Sequence, residues 1–312
     1  MEATTLDLLK LPKEGRLGCL TADETKVLDA FRTHVKDVNK VTDPKFDDWY
    51  LLRFCRARKF VLKDVITMWE KFITWRKEFG TDTMIENDFK YIDDFSKQYW
   101  HKGYYSVTKD GYPVYIERYE KTDIDKVLTN FSDDEIKKYY VNSYEMMIHC
   151  IWPECSRVAG KRIDALVTIL DFKGLGIMRM LKSDTRKFLG IATSICQDYY
   201  PECSGKMFLV NTGMTFNALW AVIKLMLDSK TRDKIKVLGS KFLKEITTYV
   251  DLDQLPKSMG GTNPKEVYET DGPWSAYAQE CIKQKTYFAD GVVQGDPFKE
   301  TARKAKQIAE NS

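Results

Sequence analysis

The sequence has few histidines and no long apolar run, and these absences exclude several classes of protein. Of its 312 residues, three are histidines, so acid–base catalysis by histidine is poorly supplied. The 49 basic and 46 acidic residues leave a net charge of +3, which is too balanced for a general nucleic-acid binder. Lys224 and Asp228 interrupt the most apolar segment, so no run approaches the roughly 18 apolar residues of a membrane span.

The sequence also lacks the common motifs of catalysis and metal binding. It contains neither a G-x-S-x-G turn nor a G-x-x-x-x-G-K-[ST] loop. LDFKGLG looks like a dinucleotide-binding turn, but Arg179 stands where the third glycine belongs. The cysteines around His149 have C-x4-C and C-x6-C spacings that do not suit zinc, and we expect reduced, buried thiols. We therefore expect no catalytic residue, no metal and no cofactor; a dinucleotide-binding oxidoreductase is the enzymatic alternative.

The first 80 residues or so are predicted to be helical. Thr21 and Glu24 form a T-x-x-E capping box, which opens a helix through VLDAFRTHVKDV. A second helix is predicted to start near Asp47. A third runs through VLKDVITMWEKFITWRKEF and ends before Gly80, which suits the position just after a helix.

The remaining chain alternates strand-like and helical segments. GYYSVT and YPVYIER, joined by KDG, predict a β-hairpin. An S-x-x-E box, Ser132 and Glu135, opens a helix over roughly 133–152, and another helix is predicted over roughly 178–199. ALVTILD, MFLVN and IKVLG are apolar runs of strand length, typical of a parallel sheet covered on both faces. We predict an α/β fold with an N-terminal helical subdomain packed on a mainly parallel β-sheet domain.

The helix containing LLRFCRARKF has an unusual arrangement of charge. At 100° per residue, Arg53 and Arg56 fall opposite the apolar arc and are predicted to face solvent. Arg58 falls within that arc if the helix continues so far, and Lys59 lies at its edge. A cation that points inward needs a carboxylate or a bound anion. The alternative is that the helix frays after Cys55 and leaves both bases in water.

The segment MTFNALWAVIKLMLDSKTRDKI, residues 214–235, is apolar in its first part and charged at its end. Its large apolar residues cover roughly 220° of a helix, against a stripe of about 100° on an ordinary surface helix. A fully buried helix and a helix that contacts a ligand, partner or bilayer both fit this pattern. The residues concerned are Phe216, Leu219, Trp220, Val222, Ile223, Leu225, Met226 and Leu227.

Nine short motifs resemble one family when they are taken in order. They resemble the CRAL-TRIO lipid-binding family, specifically the yeast-type phosphatidylinositol/phosphatidylcholine transfer proteins, over roughly residues 46–275. We divide the chain into an N-terminal helical subdomain (1–95), a CRAL-TRIO lipid-binding domain (96–275) and a C-terminal tail (276–312). The motifs are LLRFCRARKF, WRKEFGTDT, KDGYPVY, CSRVAG, ILDFKGLG, YYPE, LDSKTRDKIKVLG, LPKSMGG and GPW.

The resemblance implies a site for a phosphatidylinositol headgroup. Bases would neutralise the lipid phosphate, while a carboxylate and a hydroxyl would bind the hydroxyl groups of the inositol ring. The matching residues are Arg58, Lys59, Glu202, Thr231, Asp233 and Lys234.

The resemblance also implies a second phospholipid site, with phosphatidylcholine as its expected ligand. Tyr115, Tyr144 and Thr168 stand at matching positions. Trp100 replaces a tyrosine and retains only a cation–π surface for a quaternary ammonium. Leu166 replaces a serine and removes a hydrogen-bond donor to the phosphate, so another lipid or a sterol-like molecule is the alternative second ligand.

The family further implies a mobile apolar gate helix that closes the lipid pocket. Here the gate would run from Phe216 to Leu227, with hinges at Gly213, Gly260 and Gly261. We expect a monomeric protein that exchanges phospholipids, touches membranes transiently and binds no nucleic acid. The start MEATTLDLLK shows no secretory signal, so a cytoplasmic protein, transiently peripheral on Golgi or endosomal membranes, is expected. A carrier of a sterol, retinoid or tocopherol on the same fold is the alternative.

Overall fold

A computed structural model describes residues 7–43, 45–175, 182–214, 216–217, 220–221, 224, 229–269 and 272–284. Among the residues that the structure describes, no helix is both long and apolar enough to cross a membrane.

The N-terminal region is helical, as predicted. It contains α1 (Ala22–Thr33), a π-helical turn (His34–Val38), α2 (Asp48–Ala57), α3 (Leu62–Phe79), a 3-10 turn (Thr81–Glu86) and α4 (Lys90–Tyr99). The hydroxyl of Thr21 accepts a hydrogen bond from the amide of Glu24 at 3.2 Å, and the Glu24 carboxylate accepts one from the Thr21 amide at 2.9 Å. Gly80 ends α3 with a φ of 71°, in the left-handed region that favours glycine. The predicted capping box and helix end are therefore confirmed.

The second part of the chain builds a five-stranded sheet in the order β1-β2-β3-β4-β5. The first pair is the predicted hairpin and is antiparallel, whereas the other neighbouring pairs are parallel. A mainly parallel sheet is therefore confirmed. The strands are β1 (Lys102–Val107), β2 (Pro113–Arg118), β3 (Leu166–Asp171), β4 (Ser204–Val210) and β5 (Ile235–Val237).

Helices connect and cover the strands of the sheet. Ser132 and Glu135 form the predicted capping box, and the long helix that they open passes through a π-helical turn, Met147–Ile151, before continuing as α7. The helices are α5 (Ile124–Asn130), α6 (Asp133–Met146), α7 (Trp152–Ala159), α8 (Ser183–Tyr199), α9 (Ser229–Lys234), α10 (Leu243–Ile246) and α11 (Ser275–Gln284). Shorter 3-10 turns cover Tyr119–Lys121, Leu252–Gln254, Lys257–Met259 and Val267–Glu269.

The two faces of the sheet differ in how completely they are covered. One face carries apolar side chains of β2, β3 and β4 with no exposed surface: Val114, Ile116, Val167, Ile169 and Phe208. On the opposite face, apolar side chains of β3, β4 and β5 are only half-buried: Leu170, Met207, Ile235 and Val237. Apolar side chains that keep some accessible surface inside a fold are able to contact an apolar ligand.

The charges of α2 contradict the helical-wheel prediction. Arg53 and Arg56 were expected in solvent, but only 2% and 8% of their surfaces are exposed. Helix α2 ends at Ala57, and the following residues, Arg58 and Lys59, are exposed. Arg58 therefore does not point into the apolar arc, because the helix stops before the arc would include it.

Contacts from outside the helix explain why the two arginines are buried. Arg53 donates from Nε to the carbonyl of Pro201 at 3.0 Å, and it also donates to the thiol of Cys203. Arg56 donates from Nη1 to the carbonyl of Gly15 at 3.2 Å. The polar face of α2 is thus covered by the chain before β4 and by the N-terminal segment. The residue pattern of one helix does not reveal contacts with such distant segments.

Candidate functional site

A cluster of charges lies where the end of α2, the chain before β4 and α9 meet. Lys234 donates from Nζ to Oε2 of Glu202 at 3.1 Å. The same carboxylate oxygen lies 3.9 Å from Nε of Arg56. Of the residues predicted for the headgroup site, the structure therefore brings Glu202 and Lys234 into direct contact. Arg56, which the sequence analysis missed, joins them.

The other predicted headgroup residues have less defined positions. Arg58 and Lys59 are exposed and immediately follow α2, one and two positions beyond its last residue. Asp233 is exposed on α9, next to Lys234. The backbone of Thr231 is helical, but its side chain lies outside the described part of the chain. The assignment of these four residues to a headgroup site stays a prediction.

Unusual backbone conformations occur on both sides of the charged cluster. Lys59, Phe60 and Glu202 have φ angles of 49°, 58° and 59°, although none of them is glycine. A left-handed residue with a side chain costs about 1–2 kcal/mol and persists where its surroundings fix it. Such conformations concentrate at functional sites, and here they set the direction of Lys59 and Glu202.

Arg56 has unused hydrogen-bonding capacity within this cluster. Its Nε and Nη2 atoms are buried and have no hydrogen-bond partner among the described residues. Burial, helped by the nearby Arg16 guanidinium, lowers the pKa of Arg56 to about 10. A buried guanidinium with unpaired donors is costly, so its position next to Glu202 favours a further anionic group at this place.

Several residues predicted for the second phospholipid lie side by side on the face of the sheet that carries half-buried apolar side chains, which we call the half-open face. Tyr115 on β2 pairs in register with Thr168 on β3, and Thr168 pairs with Met207 on β4. Leu166 precedes Thr168 on the same face and is 7% exposed. Tyr144 on α6 is half-buried and stacks on the ring of Tyr200 with centroids 4.6 Å apart.

The prediction for Trp100 is contradicted by its position. Its surface is fully buried, and its ring packs against Tyr139, Tyr140 and Phe188 with centroids 5.3–5.6 Å apart. Its indole Nε1 donates to Glu117 at 3.3 Å. An indole enclosed in this way presents no surface to a ligand.

Tyr104 stands beside Tyr115 instead of Trp100. The two residues are paired across β1 and β2, and their rings are 5.4 Å apart. The resemblance did not assign Tyr104 to the second phospholipid site. No simple sequence signal identifies it, because a β-bulge between Tyr104 and Ser106 shifts the register, and counting back from the KDG turn would place Tyr105 opposite Tyr115.

The predicted gate segment is only partly described. Met214, Phe216, Asn217, Trp220, Ala221 and Lys224 have helical backbone. The ring of Phe216 packs 4.9 Å from that of Phe172, and Trp220 is half-buried. Met214, just before Phe216, is 90% exposed. The predicted gate residues Leu219, Ile223, Met226 and Leu227 lie outside the described residues.

The predicted hinge glycines have different surroundings. A Cβ atom at Gly213 would meet nothing within 4 Å. Gly260 has a φ of 87°, and a Cβ at Gly261 would lie 2.0 Å from the carbonyl oxygen of Leu255. The last two positions therefore require glycine for a tight turn and a close backbone contact. Movement at any of the three stays a prediction.

The architecture is that of an α/β protein in which a helical N-terminal region packs against a mainly parallel sheet, with a charged cluster where the two meet. The sequence matches the CRAL/TRIO, N-terminal domain over residues 27–71 and the CRAL/TRIO domain over residues 97–261. The chain belongs to the CRAL/TRIO family. The resemblance drawn from the nine motifs is thereby confirmed.

Two proteins of similar sequence come from a plant and a yeast. Phosphatidylinositol/phosphatidylcholine transfer protein SFH7 of Arabidopsis thaliana is 40% identical over 244 residues, which are 78% of this chain and 44% of that protein. The Sec14 cytosolic factor of Schizosaccharomyces pombe is 35% identical over 248 residues, which are 79% of this chain and 85% of that protein. The chain therefore spans less than half the length of the Arabidopsis relative.

The fold also matches a solved structure. The crystal structure of Sfh5 superposes on this chain with a TM-score of 0.61 and 18% sequence identity, covering 85% of this chain and 97% of that one. The predicted fold class is therefore confirmed by the arrangement of elements as well as by the family match.

Proposed function

We propose that the chain is a phosphatidylinositol-binding lipid transfer protein, which exchanges phospholipids between membranes through a gated hydrophobic pocket. The observation that carries this proposal is the contact between Glu202, Lys234 and Arg56, next to the exposed Arg58 and Lys59. This combination of several bases with one carboxylate suits a phosphate attached to a polyhydroxyl ring. The name of the Arabidopsis relative, a phosphatidylinositol/phosphatidylcholine transfer protein, agrees with such a ligand.

The half-open face of the sheet supports the second part of the proposal. Removing an acyl chain from a bilayer costs about 0.8 kcal/mol per CH₂ group. Half-buried apolar side chains, such as Met207 and Leu170, offset that cost by contacting the chain. Since exchange needs only binding and release, no catalytic residue, metal or cofactor takes part in this proposal.

The gate is proposed to contact the membrane during exchange. Met214, at 90% exposure, and the helical residues after it would enter the lipid surface, while Phe216 separates from Phe172 and opens the pocket. The protein would act as a monomer and bind Golgi or endosomal membranes transiently. Light scattering and membrane fractionation measure these two properties.

Transfer between vesicles tests the headgroup assignment. The double variant Lys59→Ala, Lys234→Ala removes two cations, and charge-assisted bonds to phosphate contribute about 1.5–3 kcal/mol each. We expect the rate of phosphatidylinositol transfer to fall by about a hundredfold or more. The matched control is Lys26→Ala, Lys138→Ala, which removes two exposed cations that pair with carboxylates on their own helices. Equal transfer by the double variant and this control would contradict the proposal.

A further inference from the structure

Lys102, the first residue of edge strand β1, is a buried lysine surrounded by aromatic rings. Only 8% of its surface is exposed. Its Nζ atom lies 4.0, 4.1 and 4.4 Å from the ring centroids of Trp100, Tyr139 and Tyr140. Three rings around one cation form the kind of cage that proteins use to bind quaternary ammonium groups. In this chain the cage is filled by the protein's own ammonium group.

The ammonium group of Lys102 lacks an acceptor. Within the described part of the chain, no hydrogen bond and no ion pair within 4 Å is formed by its Nζ. Glu117, its cross-strand partner, attracts it from farther away and accepts hydrogen bonds from Trp100 and Tyr115 instead. Burial lowers the pKa of Lys102 even though Glu117 and Asp93 attract its charge, so a bound anion would stabilise the charged form. Its surroundings therefore favour an acceptor supplied by a ligand.

A cavity of about 870 Å³ lies against Lys102. Its volume falls within the range of about 300–1,000 Å³ that is usual for small-molecule sites. Buried apolar side chains form part of its wall: Ile151, Val267 and Trp274. Exposed residues such as Lys90, Asp94, Glu269 and Gln279 line it where it meets solvent. An amphiphile could enter with its apolar part against the wall.

Two further polar groups of the cavity are unsatisfied. The hydroxyl of Ser96 and the side-chain carbonyl of Asn142 are buried without a hydrogen-bond partner among the described residues, and both residues line the cavity. Native proteins leave few such groups unpaired. Together with Lys102, these residues supply donors and an acceptor to a polar ligand group.

We propose that this cavity binds a single-chain lipid with an anionic oxygen headgroup, a carboxylate or a phosphate monoester, which accepts hydrogen bonds from Lys102. Because Lys102 fills the aromatic cage, a choline headgroup does not enter that cage. Tyr104 and Tyr115 of the second phospholipid site also line this cavity, so the inference names a ligand for that site and rests on the proposed function. Its test uses neither phosphatidylinositol nor transfer, so the two fail separately.

Equilibrium binding of labelled oleate to the delipidated full chain is the first test. Lys102→Gln keeps a long polar side chain and removes the charge. We expect it to weaken oleate binding by about tenfold or more, since a hydrogen bond to a charged group contributes about 1.5–3 kcal/mol. Binding of oleyl alcohol, which has the same chain without the charge, should change by less than about twofold. Lys97→Gln is the matched control, because Lys97 lines the same cavity but is exposed and paired with Asp94.

Two other single-chain lipids separate the possible headgroups. Lysophosphatidic acid measures whether a phosphate monoester replaces the carboxylate, and its affinity should also fall in Lys102→Gln. Lysophosphatidylcholine should bind the wild-type chain more weakly than oleate does, because Lys102 fills the aromatic cage. Unchanged oleate binding in Lys102→Gln, or equal loss of oleate and oleyl alcohol, overturns the proposal, because the lysine would then have no effect on charge selection.

Acetylation of the wild-type chain tests the same contact without a variant. Acetic anhydride labels accessible lysines, and peptide mass spectrometry reports each site. Bound oleate should slow acetylation of Lys102 by about tenfold and leave that of Lys97 unchanged, since the bound carboxylate keeps the Lys102 amine protonated and covered. Equal acetylation of Lys102 with and without oleate refutes the inference even if Lys102→Gln fails to fold.

Discussion

The buried ion pair between Arg76 and Glu145 is predicted to stabilise the junction of the two regions. Arg76 on α3 donates to both carboxylate oxygens of Glu145 on α6, at 2.8 and 2.7 Å. The phenol of Tyr200, after α8, donates to the same carboxylate at 2.6 Å. The side chains of Arg76 and Glu145 are 3% and 0% exposed, so Glu145→Gln leaves a buried guanidinium whose remaining anionic partner is the exposed Asp82, 2.7 Å from its Nε. Breaking one partner of such a pair costs about 3–5 kcal/mol.

This loss is large compared with the total stability of a folded protein, which is about 5–15 kcal/mol. Urea unfolding followed by far-UV circular dichroism and by tryptophan fluorescence measures it. The control Asp94→Asn removes an exposed carboxylate from its pairs with Lys90 and Lys97, and should change the stability far less than Glu145→Gln does. Replacing both partners, Arg76→Met with Glu145→Met, should recover part of the loss. A loss below about 1 kcal/mol in Glu145→Gln would refute the reasoning.

The same ion pair predicts how stability depends on pH. Burial alone would raise the pKa of Glu145, but the Arg76 guanidinium outweighs burial and holds that pKa well below its usual range. A carboxylate with a lowered pKa in the folded state stabilises the fold above its unfolded pKa of about 4.3. The contribution is lost as the pH falls below that value. The stability difference between wild type and Glu145→Gln should therefore shrink on acidification, and a constant difference would contradict this assignment.

Two further substitutions test the site and the turn after the sheet. Leu166→Ser restores a hydroxyl next to Thr168, and we expect it to raise the rate of phosphatidylcholine transfer by about tenfold. Leu166→Ala is the control and should not raise that rate. Strong phosphatidylcholine transfer by the wild-type chain would contradict the role of Leu166. Gly261→Ala places a Cβ 2.0 Å from a backbone carbonyl oxygen and should cost about 1–3 kcal/mol in urea unfolding. Gly190→Ala, in open space on α8, should instead stabilise the fold by about 0.5–1 kcal/mol, and equal effects of the two alanines would refute the packing argument.

Local patterns predicted the elements of this fold because their signals lie within a few residues of each other. The capping boxes at Thr21 and Ser132, the left-handed glycine after α3 and the hairpin at KDG all depend on neighbouring residues. The apolar strands could be recognised as members of a parallel sheet because helical segments separate them in sequence. The π-helical turn Met147–Ile151 had no recognisable local signal, and it was predicted as ordinary helix.

The candidate site was harder to predict, because its side chains depend on contacts between distant parts of the chain. Arg56 looked exposed on a helical wheel, yet Gly15, 41 residues away, and Glu202 cover it. Trp100 was assigned to the second site from the resemblance, but the register of β1 against β2, shifted by a β-bulge between Tyr104 and Ser106, places Tyr104 opposite Tyr115. The resemblance supplied residue types, but the pairing of strands supplies their positions.

Helix α2 connects the fold of the N-terminal region to the geometry of the headgroup cluster. Arg53 binds the carbonyl of Pro201 and the thiol of Cys203, the two neighbours of Glu202 in the chain. Arg56 approaches the Glu202 carboxylate itself, and Lys59 follows within one turn. The left-handed conformation of Glu202 is therefore held from both sides by a helix that lies outside the sheet domain. The sheet domain alone therefore lacks Arg56, Arg58 and Lys59, and we expect the proposed headgroup site to be complete only when the N-terminal helices are folded against it.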